Sequence, residues 1–318
     1  MNIAIDMMGG DFAPLEAVKG LQLYMRGNSA PATLHCIGDE EQLRKLFAEH
    51  DLISPNLHII HAPEVIDYNE SPTKALKEKP QSSISIGFHL LASGKAEAFI
   101  SAGNTGAMLV GAMFSIKAIG GVQRPTIGTV IPKVNGKTGL LLDVGLNADC
   151  KPEHLDQFAV LGSLYAKNIL GIDEPKVGLM NVGEEEGKGN VLAQAAYPLL
   201  KENALINFIG NIEGRDVFND KADVMVCDGF TGNVILKVAE SFYDIAHHRN
   251  LHTDEYLQRF HYENYGGTPV LGVARPVIIG HGISSATAFW NMIRLSERMI
   301  ETDVCGQMKE KFAGLLSS

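Results

Sequence analysis

Short, uninterrupted runs of Val, Ile and Leu alternate along this chain with segments of helical periodicity, and no other feature limits its fold as strongly. Apolar runs that do not alternate with polar residues are typical of strands buried on both faces of a largely parallel sheet. The βαβ order predicts a doubly wound α/β fold with right-handed crossovers. Strands are expected at 3–6, 33–37, 57–61, 98–101, 127–131, 140–144, 177–182, 206–209, 224–227 and 277–279, and helices at 15–25, 40–49, 82–93, 153–169, 191–202 and 234–247.

No internal repeat, Pro-rich linker or low-complexity tract interrupts this order, so a single α/β domain over residues 1–318 is expected. Near the C-terminus, apolar side chains recur at helical spacing, which favours a core or dimer face over a ligand site. They are Phe289, Met292, Ile293, Met299, Ile300, Val304, Met308 and Phe312.

Charge and cysteine usage narrow the function classes. Asp and Glu outnumber Lys and Arg by 37 to 27, and the net charge of −10 argues against nucleic acid, which needs a basic face. The four cysteines are far apart and form no CxxC pair, which favours a reducing compartment. Residues 98–116 are uncharged but contain Gly, Ser and Asn, so strand, turn and buried helix are expected there. Because the N-terminus has no basic n-region, the expected location is cytoplasmic.

Glycine makes up 33 of the 318 residues and gathers where predicted strands end. The Gly-bearing loops are 6–11, 101–106, 143–147, 181–190, 227–233 and 280–282. Ligands of open α/β sheets bind at the carboxyl ends of the strands, so such loops on one sheet edge would line a polar crevice with backbone N–H groups. Helix N-termini and backbone nests favour anions, and phosphate is therefore the first ligand to consider.

Standard nucleotide and hydrolase motifs are missing from these loops. The chain has no GxxxxGK[ST], and GxGxxG is absent after the first strand, where a dinucleotide fold needs it. GxSxG is also absent, so a nucleophile elbow is not expected.

Segments in and around these loops resemble, in order, the signature segments of phosphate acyltransferases of the PlsX type. They are IDMMGGDFAP, SAGNTGAM, LLDVGLNADCKPEHL, NVGEEEGKGN, GNIEGRD, VCDGFTGNVILK, YGGTPVLG and IIGHGISS. The resemblance implies a three-layer α/β/α fold similar to isocitrate and isopropylmalate dehydrogenases and to phosphotransacetylase, in a homodimer. It also implies acyl transfer from acyl-[acyl-carrier protein] to inorganic phosphate, which supplies acyl phosphate to a membrane glycerol-3-phosphate acyltransferase in bacterial phospholipid synthesis.

Such a reaction needs no Ser or Cys triad, because phosphate is itself an anionic nucleophile. The site must hold a dianion, stabilise a tetrahedral oxyanion and help a thiolate leave. The family's segments place a key Lys at Lys188 and a key Asn at Asn233, which we assign to phosphate or the leaving thiol and to the thioester carbonyl, respectively. Expected phosphate or thioester contacts are Gly103, Asn104, Thr105, Gly106, Asn147, Asn190, Arg215, Gly232 and His281, with Asp11, Asp143 and Asp228 behind them; no cofactor and no metal are expected.

Other interpretations of these residues stay open. Lys188 could be a solvated loop lysine or pair with Glu184 at i, i+4. Each Asn could be an ordinary turn or N-cap residue, and His281 a turn residue. Cys150 could be a nucleophile that forms an acyl-enzyme, although Cys more often packs as a small buried side chain.

The chain departs from the family pattern most between 234 and 265. Many relatives carry a longer, Lys- and Leu-rich helical hairpin there that is linked to membrane contact, whereas this insertion is short and mixes acids with bases. A membrane-surface helix needs an apolar face with a basic rim, so peripheral membrane attachment is poorly supported here. Alternative functions are transfer from acyl-CoA to phosphate, an NAD-dependent dehydrogenase of the isopropylmalate type, for which no site constellation is visible, and a non-catalytic scaffold for carrier protein.

Overall fold

A computed structural model describes residues 1–27, 30–251 and 254–317. The strands are β1 (Asn2–Asp6), β2 (Thr33–Gly38), β3 (Leu57–His61), β4 (Ala98–Ser101), β5 (Thr126–Pro132), β6 (Thr138–Leu142), β7 (Lys176–Met180), β8 (Asn207–Ile212), β9 (Val224–Val226), β10 (Thr268–Leu271) and β11 (Val277–Ile279). The α-helices are α1 (Leu15–Gly27), α2 (Glu40–Glu49), α3 (Pro72–Glu78), α4 (Ser83–Ala92), α5 (Thr105–Gly111), α6 (Pro152–Asn168), α7 (Val191–Glu202), α8 (Gly229–His248), α9 (Glu255–Gln258), α10 (Ala286–Glu301) and α11 (Val304–Ser317). A π turn, Ala112–Ile116, extends α5, and 3₁₀ turns occupy Gly214–Asp216 and Tyr262–Tyr265.

The chain forms two compact units, each built from discontinuous segments. Unit 1 contains Met1–Ala118 and Glu263–Cys305, and unit 2 contains Ile119–Tyr262 and Gly306–Ser318. The prediction of one domain over 1–318 did not include this division, because no change of composition marks the points where the chain passes from one unit to the other.

The sheet of unit 1 follows the order β3-β2-β1-β4-β11-β10. All its strand pairs are parallel except β10 with β11. The central strands β1 and β4 are buried along almost their full length, as expected for strands covered on both faces. The carboxyl ends of β1, β4 and β11 therefore meet at one edge of this sheet.

The sheet of unit 2 follows the order β5-β6-β9-β7-β8. The pairs β6–β9, β9–β7 and β7–β8 are parallel, and β5 runs antiparallel to β6. Because β5 is reversed, its amino end lies beside the carboxyl end of β6, with Gly128 opposite Leu142. The segment that precedes β5 is thereby brought to the same edge as the loops that follow β6, β7 and β9.

The predicted three-layer, largely parallel α/β fold is confirmed. The apolar stripe near the C-terminus belongs to the core, because most of its side chains on α10 and α11 are buried. The strand β10 was not predicted: it is short, contains Pro269 and follows Gly266 and Gly267, which are signals of a turn.

The segment 234–265 covers most of α8, the short α9 and a 3₁₀ turn, and its residues 252 and 253 lie outside the described part of the chain. Its one longer helix, α8, begins earlier than the predicted residue 234, at Gly229. Among the described residues, no helix is both long and apolar enough to cross a membrane.

At the opposite end of the unit 2 strands, a lysine is fully buried. The side chain of Lys133, with no exposed surface, places its Nζ 3.0 Å from Asp223 Oδ1 and 3.5 Å from Asp220 Oδ1. Asp223 Oδ2 also accepts a hydrogen bond of 2.9 Å from the backbone N–H of Lys176. Burial of this ammonium group is tolerated because Asp223 compensates its charge.

We predict that Asp223→Ala lowers the free energy of unfolding by about 3–5 kcal/mol, because it leaves the buried Lys133 ammonium without its nearest counterion. The matched control is Asp220→Ala, since the Asp220 side chain is 43% exposed and its loss costs about 1 kcal/mol or less. Urea denaturation followed by circular dichroism measures both values, and equal losses for the two variants would contradict the assignment.

Candidate functional site

In unit 1, a buried carboxylate holds the loop that follows β1. Asp6 is fully buried, and its Oδ1 accepts hydrogen bonds from the backbone N–H groups of Met8 (2.9 Å) and Gly9 (3.0 Å). Its Oδ2 accepts one of 2.7 Å from Ser101 Oγ, which in turn accepts one of 2.9 Å from Gly103 N. Burial raises the pKa of Asp6 while these donors oppose the shift. One carboxylate thus fixes the loops after both β1 and β4.

Two further contacts tie neighbouring loops to this group. Gly9 packs so closely on the next loop that a Cβ there would lie 2.6 Å from Gly103 N. The backbone N–H of Asp11 donates to Gly282 O at 2.7 Å, which connects the first loop to the one that follows β11. The half-buried His281 lies in this third loop, between Gly280 and Gly282.

Tyr68 is a site residue that the sequence did not reveal. Its hydroxyl donates to Ala102 O at 3.0 Å and would lie 2.8 Å from a Cβ at Gly282. Burial of the hydroxyl, together with the nearby charge of Asp11, raises the pKa of Tyr68 to about 12, so it stays a protonated donor at neutral pH. Tyr68 lies in the loop between β3 and α3, which contains no glycine, so the clustering of glycines at strand ends did not point to it.

The predicted phosphate residues Gly103, Asn104, Thr105 and Gly106 form the turn into α5. The side chain of Asn104 is buried: its Oδ1 accepts from Ala107 N at 2.9 Å, and its Nδ2 donates to Asp67 O at 2.8 Å. Asn104 is therefore an N-cap that also clamps the segment carrying Tyr68. Any donors that this turn offers to an anion are backbone N–H groups at the start of the helix.

In unit 2, a second buried carboxylate holds the loop that follows β6. Asp143 Oδ2 accepts from Asn147 N at 2.6 Å and from Asn147 Nδ2 at 2.7 Å, and its Oδ1 accepts from Leu146 N at 3.2 Å. Burial raises the pKa of Asp143, against the effect of these donors. The amide of Asn147 also donates to Pro125 O at 2.9 Å, so this buried side chain is committed to internal bonds.

The start of α8 packs tightly on this loop and carries Asn233. Gly229 N donates to Asn147 O at 2.7 Å, and a Cβ at Gly232 would collide with Asp143 O. Asp228 caps the helix by accepting from Thr231 N at 2.9 Å and Thr231 Oγ1 at 2.8 Å. The exposed Asn233 side chain lies 3.5 Å from the Cβ position of Gly145, which has a φ of +127°.

The loop that follows β7 presents Lys188 to solvent. Asn181 Nδ2 donates to Lys188 O at 3.1 Å, and Asn190 caps α7 by accepting from Ala193 N at 2.8 Å. Glu184, the alternative partner of Lys188, instead pairs with Lys221 Nζ at 2.7 Å. Among the pairs that the structure describes, none occupies the Lys188 ammonium group.

Arg215 is placed differently from the other predicted residues of unit 2. It lies on the 3₁₀ turn after β8, is largely exposed, and its guanidinium pairs with Glu213. That pairing raises the pKa of Arg215.

Arg124 is a second site residue that sequence reasoning missed. It directly precedes Pro125, whose carbonyl holds Asn147, and its charge acts on Cys150 and His154. The exposed guanidinium has no ion pair within the described residues. Site residues were expected only at the carboxyl ends of strands, whereas Arg124 reaches this edge from the amino end of the antiparallel β5.

The Cys150 thiol is protonated at neutral pH. Its Sγ lies 3.5 Å from Asn147 O, and burial with the nearby charges of Asp143 and Asp228 raises its pKa to about 12. A nucleophilic cysteine needs a lowered pKa, so this environment disfavours an acyl-enzyme. Cys227 is buried in the same unit, and its pKa is also raised by burial.

A cavity of about 200 Å³ opens between the loop after β7 and the start of α8, within unit 2. Its lining is mainly apolar and includes Leu155, Leu179, Met180 and Ala193, with Asn181, Asn190, Asp228 and Thr231 as polar members. Residues of the loops that carry Lys188 and Asn233 thus line one cavity.

Comparison with known proteins assigns the chain to a family. The profile of a family described as "Fatty acid synthesis protein" matches residues 1–307. A phosphate acyltransferase of Dictyoglomus turgidum is 41% identical over 96% of this chain and 95% of its own length. The phosphate acyltransferase of Aquifex aeolicus is 43% identical over 95% of this chain and 94% of its own.

Solved structures share the fold. EutD phosphotransacetylase from Staphylococcus aureus superposes with a TM-score of 0.66 at 18% identity, covering 94% of both chains. A branched-chain phosphotransacylase from Enterococcus faecalis superposes with a TM-score of 0.62 at 15% identity, covering 94% of this chain and 99% of that one. The profile match and the identities above 40% along nearly the whole length show that the chain belongs to the fatty acid synthesis protein family and is an acyltransferase.

Proposed function

We propose that the protein transfers an acyl group from the thioester of an acyl-carrier protein to inorganic phosphate, giving acyl phosphate and the free carrier thiol. The observation that supports this most is the arrangement in unit 2, where Lys188, Asn233 and Arg124 stand at one sheet edge with no cysteine able to act as nucleophile. Direct attack by phosphate fits such a site, since donors and cations are its only requirements.

In the proposed reaction, a phosphate oxygen attacks the thioester carbonyl carbon, and a C–O bond forms as the carbonyl becomes an oxyanion. Asn233 Nδ2 donates to that oxyanion, from a position fixed by the fit of Gly232 against Asp143. The intermediate collapses, the C–S bond breaks, and the thiolate leaves. Lys188 either orients the phosphate or stabilises and protonates this thiolate.

Arg124 is proposed to bind phosphate oxygens in unit 2. A guanidinium offers paired donors that match phosphate geometry, and this one has no carboxylate partner within the described residues. Arg215, by contrast, is already paired with Glu213, which makes it the weaker candidate of the two arginines.

Unit 1 is proposed to contribute anion binding through the backbone N–H groups of Thr105 and Gly106, since the N–H of Gly103 already donates to Ser101 Oγ. Their positions depend on Asn104 and on the Asp6–Ser101 hydrogen bonds. For Asn147, Asp143 and Asp228, the internal hydrogen bonds support a role in holding the loops of unit 2 rather than in touching substrate.

The cellular context follows from the same proposal. Acyl phosphate would supply a membrane glycerol-3-phosphate acyltransferase in phospholipid synthesis, with this protein acting in the cytoplasm as a homodimer. A second candidate donor is acyl-CoA, because the solved structures that share the fold are those of phosphotransacetylases and a phosphotransacylase.

The deciding experiment mixes the purified protein with acyl-carrier protein and measures free thiol with and without phosphate. We expect thiol release that depends on phosphate and a higher kcat/KM with acyl-carrier protein than with acyl-CoA of the same chain length. A preference for acyl-CoA would favour the second donor, and no phosphate-dependent release from either would refute the proposal.

Substitution of the proposed site residues tests their roles. Asn233→Ala is expected to lower kcat about 10²- to 10³-fold, as loss of an oxyanion donor does. Lys188→Ala is expected to lower it about 10²-fold, and Arg124→Ala to raise the KM for phosphate about tenfold or more. Lys201→Ala is the control, because Lys201 is an exposed lysine paired with Glu186 on the same unit; near-normal turnover of Lys188→Ala or Asn233→Ala would refute those roles.

Asp6 offers a test of the backbone N–H groups in unit 1. Asp6→Ala removes the acceptor for Met8 N, Gly9 N and Ser101 Oγ, so the KM for phosphate should rise about tenfold or more. Asp6→Asn keeps one acceptor oxygen, so its KM for phosphate should rise less. Asp39→Ala is the control, since Asp39 only caps α2 by accepting from Gln42 N. If Asp6→Ala matches the wild type in phosphate KM, as the control Asp39→Ala should, the loop of unit 1 does not bind phosphate.

A further inference from the structure

We propose that the cavity between the loop after β7 and the start of α8 binds the acyl chain of the thioester and sets its preferred length. This inference rests on the proposed function, because it assigns a place to one part of that substrate. It concerns unit 2 alone, where the cavity, Lys188 and Asn233 all lie.

The position of the cavity relates it to the proposed reaction centre. Asn181 and Asn190, which flank Lys188 in the loop, line one side. Asp228 and Thr231, which precede Asn233 in the first turn of α8, line another. The cavity thus opens at the sheet edge where β7 and β9 end, which is also the edge that carries Lys188 and Asn233, so a thioester bound at this edge has an apolar opening within reach of its acyl chain.

The floor of the cavity is apolar and closed. Leu155, Leu179 and Ala193 are almost fully buried and come from α6, β7 and α7, so three elements shape it. Such a surface stabilises hydrocarbon by removing it from water and offers nothing to a charged group.

Asn181, Asn190 and Thr231, polar side chains of the lining, already make hydrogen bonds within the protein. Asn181 Oδ1 accepts from Val182 N at 2.8 Å, Asn190 Oδ1 accepts from Ala193 N at 2.8 Å, and Thr231 Oγ1 donates to Asp228 at 2.8 Å. An apolar chain can enter without breaking these bonds, whereas a polar ligand would find these groups engaged. The chemistry of the lining thus favours hydrocarbon over phosphate or carbohydrate.

The size of the cavity fits part of a substrate only. A volume of about 200 Å³ lies below the ~300–1,000 Å³ of sites that enclose a whole small ligand. The lining residue Val182 is 82% exposed, and Val191, which stands between the lining residues Asn190 and Leu192, is 86% exposed, so a longer chain finds apolar surface near the opening. We therefore expect the cavity to hold the carbons nearest the thioester, and kcat/KM to rise with chain length and then level off.

The test changes the cavity volume from α7. Ala193→Leu fills part of the cavity with a good helix former, and Ala195→Leu makes the same change at an exposed position of the same helix. Release of carrier thiol in the presence of phosphate is measured for even-numbered acyl-carrier proteins from butanoyl to hexadecanoyl. Burial of one methylene raises affinity about fourfold. The larger Leu side chain should take the space of several acyl methylenes, and the enzyme should lose the preference that those methylenes provide.

For Ala193→Leu, we expect kcat/KM to level off at a shorter acyl chain than in the wild type. The ratio of kcat/KM for hexadecanoyl over butanoyl donors should fall about tenfold or more, and for Ala195→Leu this ratio should stay within about twofold of the wild type. Met180→Ala enlarges the cavity and should move the levelling-off point to a longer chain. Circular dichroism reports whether each variant is folded. If Ala193→Leu does not fold, the chain-length profile of Met180→Ala alone tests the inference.

Each other result speaks against the inference. A chain-length profile of Ala193→Leu that matches Ala195→Leu, or one lowered equally for every donor, would overturn it, as would an unshifted Met180→Ala profile. These outcomes leave wild-type turnover intact and so refute the acyl subsite alone. If the wild type releases no thiol from any donor on addition of phosphate, the proposed function itself fails.

Discussion

Loops that end buried strands leave backbone N–H groups unpaired, and in both units a buried carboxylate satisfies them. Asp6 closes β1 and accepts from Met8 N and Gly9 N, while Asp143 follows β6 and accepts from Leu146 N and Asn147 N. Burial alone would favour the neutral acid, as the raised pKa of each shows, and the surrounding donors offset part of that cost. The geometry of the loops after β1, β4 and β6 depends on these two side chains.

Most of the fold could be predicted because buried parallel strands carry a strong local signal. The runs at 57–61, 98–101 and 277–279 coincide with β3, β4 and β11. The two antiparallel strands were predicted less well. The strand β10, which is short and follows two glycines, was missed, and β5 was predicted at 127–131 but its direction was not. Strand direction depends on contacts between distant segments, so Arg124 could not be assigned to a sheet edge from its sequence neighbourhood.

The candidate site shows a similar division. Gly-rich loops at strand ends were predictable, and so was the placement of Lys188 on one of them, whereas Asn233 lies in α8, which begins at Gly229 inside the predicted loop. The roles of the Asn side chains were not, since Asn104 and Asn147 have the composition of ligands but the hydrogen bonds of internal clamps. Only the three-dimensional partners distinguish an Asn that faces substrate from one that caps a helix. Tyr68 and the cavity beside Thr231 arise from the same kind of long-range packing.

The fit of Gly229 and Gly232 against the loop after β6 has a mechanical consequence. The helix α8 has 20 residues and extends about 30 Å, yet its first turn is fixed by backbone contacts that leave no room for a Cβ. Asn233 thus lies near the fixed end of a long helix, whose last two turns combine the exposed Asp244 and Ile245 with Phe242, which packs on Phe218 and Phe260. A substitution at these exposed positions, about 20 Å along the helix, leaves the Asn233 amide in place as long as Gly229 and Gly232 keep their backbone contacts.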